Sequence, residues 1–332
     1  MIACFGELLI RLSPPDRKML VQADTLDVSV GGAEANVAAG LASLGHEVRF
    51  VGKVSGNPLG DRAVAALRAA GVDTRFLQRS TDRMGLYFLE QGAGARPSSI
   101  VYDRTGSGHA DGTAGDIDFA GALAGARLLH SGGIIPALGP GGAAIARASH
   151  AAAKAHDAPI CFDVNYREHL WGSWESDPRA VLTELVGDAT ILIGGPRDIA
   201  MLLERPFFNA QPDERRAAAE AAFAAFPRLQ LIASTHRSVS SDHHHLSARV
   251  DSRTGASQTE AIRLSAIVDR IGTGDAFAAG VLDQWLAGGD EAAMANSGLA
   301  LAALKHSLPG DLCLIRREML EAFRPDGGDV RR

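Results

Sequence analysis

The residues best placed to do chemistry lie late in the chain, in Asp269-Arg-Ile-Gly-Thr-Gly-Asp-Ala-Phe-Ala-Ala-Gly280. Gly272, Thr273 and Gly274 precede an alanine-rich run of helical period, so backbone amides converge where a helix begins. Such a terminus carries partial positive charge and unpaired N–H groups, which suits a phosphate or a developing oxyanion. Asp275 would stand against that site, within reach of a proton from an attacking hydroxyl. The plainer alternative is a glycine-rich turn with an Asp N-cap. Neither GxxxxGK[ST] nor a clean GxGxxG occurs, which disfavours P-loop and Rossmann dinucleotide sites.

A second segment, Gly31-Gly32-Ala33-Glu34-Ala35-Asn36, feeds two glycines into another helical pattern. Glycines there let a small ligand approach the backbone, and Asn36 offers both a donor and an acceptor. Arg104 and Arg167 each follow a strand pattern, where a planar, always-charged fork could hold a carboxylate or phosphate. A solvated arginine or a surface salt bridge is the plainer reading of both. His243–His245 suggest metal binding only at first sight, because consecutive strand residues face opposite ways and no carboxylate or cysteine spacing supports a site.

These residues need elements to position them. Strand patterns occur at Ile2–Leu9, Val48–Gly52, Arg127–Ser131, Pro159–Val164, Ala189–Ile193 and Leu229–Ser234. Helical patterns fall between them at Ala33–Leu44, Leu59–Ala70, Gly141–Ala155, Asp177–Val186 and Asp213–Ala225, with a late helix at Glu291–Leu304. That rhythm predicts an α/β fold: a doubly wound, mostly parallel sheet with helices on both faces and ligands beyond the strand carboxyl ends. Two stretches break it. Residues 10–30 and 76–103 read as short strands (LIRLS, DVSV, GLYFLE, SSIVYD) that together predict a small β-sheet lid over a core of residues 1–9, 31–75 and 104–324. Residues 325–332 are expected to fray.

The chain has 332 residues, 46% hydrophobic and 22% charged, which fits a globular protein and argues against disorder. A net charge of −6 makes broad nucleic-acid backbone binding implausible while leaving room for one local anion pocket. Cys4, Cys161 and Cys313 form no metal or disulfide spacing, and no membrane span or targeting segment is visible, so a cytoplasmic location is expected.

The order Gly31–Asn36, Leu44-Gly45, Phe50–Lys53, Asn57–Gly60, Ala70–Asp73 and then Gly-Thr-Gly-Asp resembles the ribokinase-like (PfkB) carbohydrate kinases over most of the chain. The resemblance implies ATP-dependent phosphorylation of a sugar hydroxyl with magnesium, Asp275 as base and Gly272, Thr273 and Gly274 as anion hole. Phe5-Gly6-Glu7, Leu86–Phe88, Val101–Ser107, Asp163–Arg167 and Lys305–Asp311 are similar to the 2-keto-3-deoxygluconate kinase branch. By that likeness Gly31, Gly32, Asn36, Tyr87, Tyr102, Arg104 and Arg167 contact the sugar acid, which is phosphorylated on its C6 hydroxyl. Asn165, Tyr166, Arg167, Arg237, Gly272, Gly274 and Asn296 attend the nucleotide. A homo-oligomer through the lid sheet is implied as well.

Three places depart from the pattern. Gly195-Pro196-Arg197-Asp198 replaces the usual Asn-x-x-Glu, leaving Asp198 to reach magnesium through a water. Ser234–His245 replaces a glycine-containing nucleotide loop. Arg270 and Thr273 stand at a usual Thr and Ala, and the monovalent-cation site of some relatives is not readable. A kinase for fructose or 2-keto-3-deoxygalactonate, or a non-catalytic binding protein of the same fold, stays open.

Overall fold

The computed structural model describes residues 1–107, 113–207, 211–240 and 243–325. The expected frayed tail lies outside them, apart from Pro325. The strands are β1 (Ile2–Phe5), β2 (Leu9–Ser13), β3 (Asp27–Gly31), β4 (Val48–Ser55), β5 (Asp73–Ser80), β6 (Gly85–Glu90), β7 (Ser99–Asp103), β8 (Leu129–Gly132), β9 (Ile160–Asp163), β10 (Ile191–Ile193), β11 (Leu231–Ser240), β12 (His243–Ser252), β13 (Ala256–Gln258) and β14 (Ile262–Leu264).

Ten of them form one sheet in the order β13-β12-β11-β10-β9-β8-β1-β4-β5, with β14 on β12. From β11 to β5 every pairing is parallel. Parallel strands need crossovers, and the alanine-rich segments supply them as helices on both faces. Helices Ala33–Ser43, Thr273–Leu286 and Glu291–Lys305 share one core with Phe50, Ile191 and Val250, while Phe162, Leu182, Leu192 and Phe223 belong to a core on the other face. The chain runs outward from β1 to β4 and β5, then returns to β8 on the other flank. That reversal opens a crevice at the strand carboxyl ends.

The small sheet, β3-β2-β6-β7, contains all four short runs expected of a lid. Its period-2 alternation buries Leu9, Tyr87 and Leu89 against Ile271 on the cleft side.

Three expectations need correction. Ile2–Leu9 is two strands, because the chain leaves the parallel sheet at Gly6-Glu7-Leu8 and enters the lid sheet at Leu9. Residues 76–80 belong to the large sheet, since β5 pairs with β4 through Ser80; their alternating polar pattern is that of an edge strand. The segment from Ser234 onward continues β11 into an antiparallel pairing with β12, with residues 241 and 242 outside the described set, where the sequence suggested a loop. Among the described residues no helix is long and apolar enough to cross a membrane.

Candidate active site

A cleft of about 660 Å³ lies where the parallel strands end and the lid sheet overhangs them. Glu7, Ile134, Asp163, Ile193 and Ser234 line it at or just beyond the ends of β1, β8, β9, β10 and within β11. Gly32, Asn36, Gly272, Gly274 and Asp275 line it from two helix starts, and Tyr87 and Tyr102 from the lid.

The two helix starts are held by close backbone contacts. Gly272 precedes the Thr273–Leu286 helix at φ +78°, and a Cβ there would stand 2.1 Å from the Asp311 carbonyl oxygen. Gly32 caps the Ala33–Ser43 helix at φ +148°, and a Cβ there would stand 2.0 Å from the Glu7 carbonyl oxygen. Only glycine fits either turn. The helices pack side by side in one core, so Asn36 Nδ2 donates to Asp275 Oδ2 at 2.6 Å. That bond fixes the carboxylate in the first helical turn while leaving it open to the cleft.

Burial pushes the Asp275 carboxyl up to about 6, with the Asp311 carboxylate adding to the rise and Asn36 and Arg167 opposing it. A base with that value is ionised at neutral pH and still accepts a proton readily. Asp163 is raised to about 7 and Glu34 to about 8, both chiefly by burial and then by neighbouring carboxylates. Asp198 is raised mainly by burial; one of its oxygens accepts from Gly195 N at 2.7 Å. Asp163 accepts from Asn165 N at 3.1 Å, which turns the chain through φ +38° at Asn165 and brings Arg167 to the cleft.

Of the five arginines that line the cleft, Arg167, Arg197, Arg237 and Arg270 form no ion pair among the described residues. Burial and nearby Arg270 lower Arg237 to about 10. Arg237 Nη2 donates to His306 Nε2 at 3.1 Å, while His306 Nδ1–H donates to the Ala302 carbonyl at 2.7 Å. The imidazole is therefore neutral, and burial holds its pKa down near 4.

The end of the cleft beneath the lid sheet is different. Arg104, only 8% exposed, pairs with Glu7, and Ser107 Oγ donates to the same carboxylate at 2.6 Å. The arginine expected as a free carboxylate receptor already has an internal partner. Tyr87 donates its phenolic hydrogen to Asp311. Tyr102 lies 5.7 Å from the Tyr87 ring and stacks on His169 of the main body at 5.9 Å, so the lid edge reaches the opposite wall.

Not every expected residue meets in the cleft. Gly31 packs against the Asp311 carboxylate, and the Thr273 hydroxyl turns back to Arg270 O at 2.9 Å. Tyr166 joins a hydrophobic cluster behind the cleft. Asn296 lines a separate cavity of about 580 Å³ and donates to Ala292 O, which corrects its placement beside the nucleotide. Conversely Glu34, Arg197, Arg270 and Asp311 line the cleft although no sequence argument assigned them a role. All four sat in segments that the sequence singled out, but their neighbours, the glycines, Asn36, Asp198 and Asp275, took the roles.

Residues 1–312 match the pfkB family carbohydrate kinase family, and the chain belongs to it. It is a sugar kinase with the ribokinase-like fold. Over 333 residues it is 30% identical to a 2-dehydro-3-deoxygalactonokinase of Haloferax volcanii, covering 99% of this chain and 98% of that one. A 2-dehydro-3-deoxygluconokinase structure from Thermotoga maritima superimposes with a TM-score of 0.92 at 34% identity, covering 98% of each chain. A 5-dehydro-2-deoxygluconokinase of Clostridium perfringens is 29% identical over 64% of this chain and 62% of its own length.

Proposed function

We propose that the cleft transfers the γ-phosphoryl group of ATP to the C6 hydroxyl of a 2-keto-3-deoxy sugar acid, with 2-keto-3-deoxy-D-gluconate as the substrate. The observation that carries this reading is the Asp275 carboxylate at a glycine-led helix start, facing a cleft that four arginines without a carboxylate partner among the described residues also line. Asp275 takes the hydroxyl proton, and the Gly272–Gly274 amides meet the charge on the transferring group. Arg167, Arg237 and Arg270 supply the positive surroundings that a triphosphate needs on leaving water. Tyr87, its hydrogen committed to Asp311, offers oxygen lone pairs to a sugar hydroxyl. Because Glu7 already neutralises Arg104, the substrate carboxylate relies on Arg167 for free charge and on Arg104 and Tyr102 for a shaped wall.

Asp163 and Asp198 both line the cleft, and Asp198 helps raise the Asp163 carboxyl, so these two would be the carboxylates to meet a divalent cation there. Magnesium, when bound there, neutralises phosphate charge. Oligomerisation through the lid is part of the same proposal: Val28, Leu12, Phe88 and Val101 lie in one cross-strand row, with Val28 and Val101 exposed. A monomer at micromolar concentration in sedimentation would count against it.

A coupled assay of ADP release with 2-keto-3-deoxygluconate, 2-keto-3-deoxygalactonate and fructose tests the reading. The gluconate compound should give the highest kcat/KM. Preference for the galactonate epimer, for which the Haloferax relative is named, would replace the substrate while keeping the mechanism. Equal turnover of fructose would remove the acid requirement. Ligand binding without turnover would mark a non-catalytic protein.

A further inference from the structure

Directly beneath the Gly272 turn lies a lysine that the proposed chemistry does not use. Lys305, the last residue of the Glu291–Lys305 helix, is 0% exposed. Its side chain runs behind Gly272, with Cε 3.4 Å from where a Cβ would stand. Nζ donates to the Gly310 carbonyl at 2.7 Å and approaches the Leu308 carbonyl at 3.3 Å. Those carbonyls belong to the turn that delivers Asp311, whose own carbonyl presses on Gly272. Arg11 of the lid strand bonds Asp269 at 2.7 Å and lies 3.2 Å from Asp311, and Gly310 N donates to Asp269 at 3.1 Å.

Two cations, Arg11 and Lys305, thus face two carboxylates, Asp269 and Asp311, and each of the four is 3% exposed or less. With both carboxylates ionised, the quartet is neutral only if Lys305 carries its proton. An uncharged side chain there would leave one net negative charge under the turn that must receive a polyanion. A buried ammonium is costly and is kept only where carbonyls and opposite charges surround it, as they do here.

We propose that the Lys305 ammonium is a fixed internal cation that balances Asp269 and Asp311, and thereby positions and electrostatically supports the Gly272–Gly274 anion hole. It is a positioning residue, acting through the turn and through the field at Asp275. This inference rests on the kinase reading of the cleft.

Lys305→Met and Lys305→Gln separate the roles, because the amide of Gln keeps a donor toward Gly310 O without the charge. Both should lower kcat about 100-fold per folded enzyme, a loss of the size seen when one anion-hole donor is removed. Both should also move the acid limb of the kcat/KM profile to higher pH, since Lys305 helps hold Asp275 ionised. A merely structural lysine would lower Tm or the folded fraction and leave both readouts unchanged, which overturns the proposal. Should neither variant fold, the ¹⁵N shift of the Lys305 amine in the intact wild-type protein decides: an ammonium at pH 7.5 supports the inference, a neutral amine defeats it. Wild-type phosphoryl transfer is measured in parallel. Its absence defeats the kinase reading, whereas its presence with unaltered variants defeats only the role of Lys305.

Discussion

The two ends of the cleft handle charge in opposite ways. At the end we propose for the phosphates, Arg167, Arg197, Arg237 and Arg270 stand half-buried or exposed with no carboxylate partner among the described residues. At the end under the lid sheet, where we propose the sugar sits, Arg104 is matched by Glu7 and Tyr87 by Asp311, all nearly excluded from solvent. A polyanion brings its own charge and is best met by unspent positive potential. A sugar acid brings one carboxylate, which the free Arg167 can meet, and several hydroxyls, which are best met by donors and acceptors whose directions are already fixed. The contrast separates recognition by net charge from recognition by preorganised geometry.

Asp275→Asn attacks the junction of the two ends and should have the largest effect. Turnover should fall by about 10³–10⁴-fold with the fold retained, the loss expected for a positioned general base. Near-normal kcat would dissolve the assignment. The same variant carries a stability signature. The folded carboxyl, raised from 3.8 to about 6, keeps a proton that the unfolded chain releases, so wild-type stability falls as pH rises through that window. Asp275→Asn should therefore melt higher than wild type at pH 8, with the difference closing below pH 4. The wild-type kcat/KM should lose activity as pH falls through about 6.

Arg104→Ala probes the internally paired end. It strands the Glu7 carboxylate in a site with almost no solvent, at an expected cost of about 3–5 kcal/mol in denaturant unfolding. Adding Glu7→Gln should recover most of that loss. Should the single change instead raise KM for an acid substrate while leaving stability intact, Arg104 is a free receptor and the contrast between the ends fails.

Arg237→Ala probes the unpaired end and should leave stability nearly unchanged. KM for ATP should rise about 10–100-fold, the range for loss of one charge-assisted contact of about 1.5–3 kcal/mol, and the wild-type advantage should shrink with added salt. A stability loss comparable to that of Arg104→Ala would show that both ends are wired alike.

The glycine-led helix starts, the four lid strands and the parallel core were legible in the sequence because each is encoded locally. Period-2 and helical hydrophobic patterns, and glycines at positive φ, carry their information within a few residues. Asp275, Asn36 and Gly272 could be named for the same reason. The bend at Gly6-Glu7-Leu8 fell inside a mostly apolar run that read as one strand although Glu7 interrupts it, and the allocation of residues 76–80 depended on which sheet offered them an edge. Asn296 was placed by likeness alone, and its helix turns it toward another cavity.

Sequence by itself determined most of the elements, the family and its kind of chemistry, and it singled out Asp275 as the candidate base. Tertiary structure alone decided which charges remain free. Glu7 meets Arg104 across 97 residues, Arg11 meets Asp269 across 258, and Tyr87 meets Asp311 across 224. An arginine reads identically whether it is neutralised or available. The difference lies in the carboxylates that folding brings beside it, and in the water that folding removes.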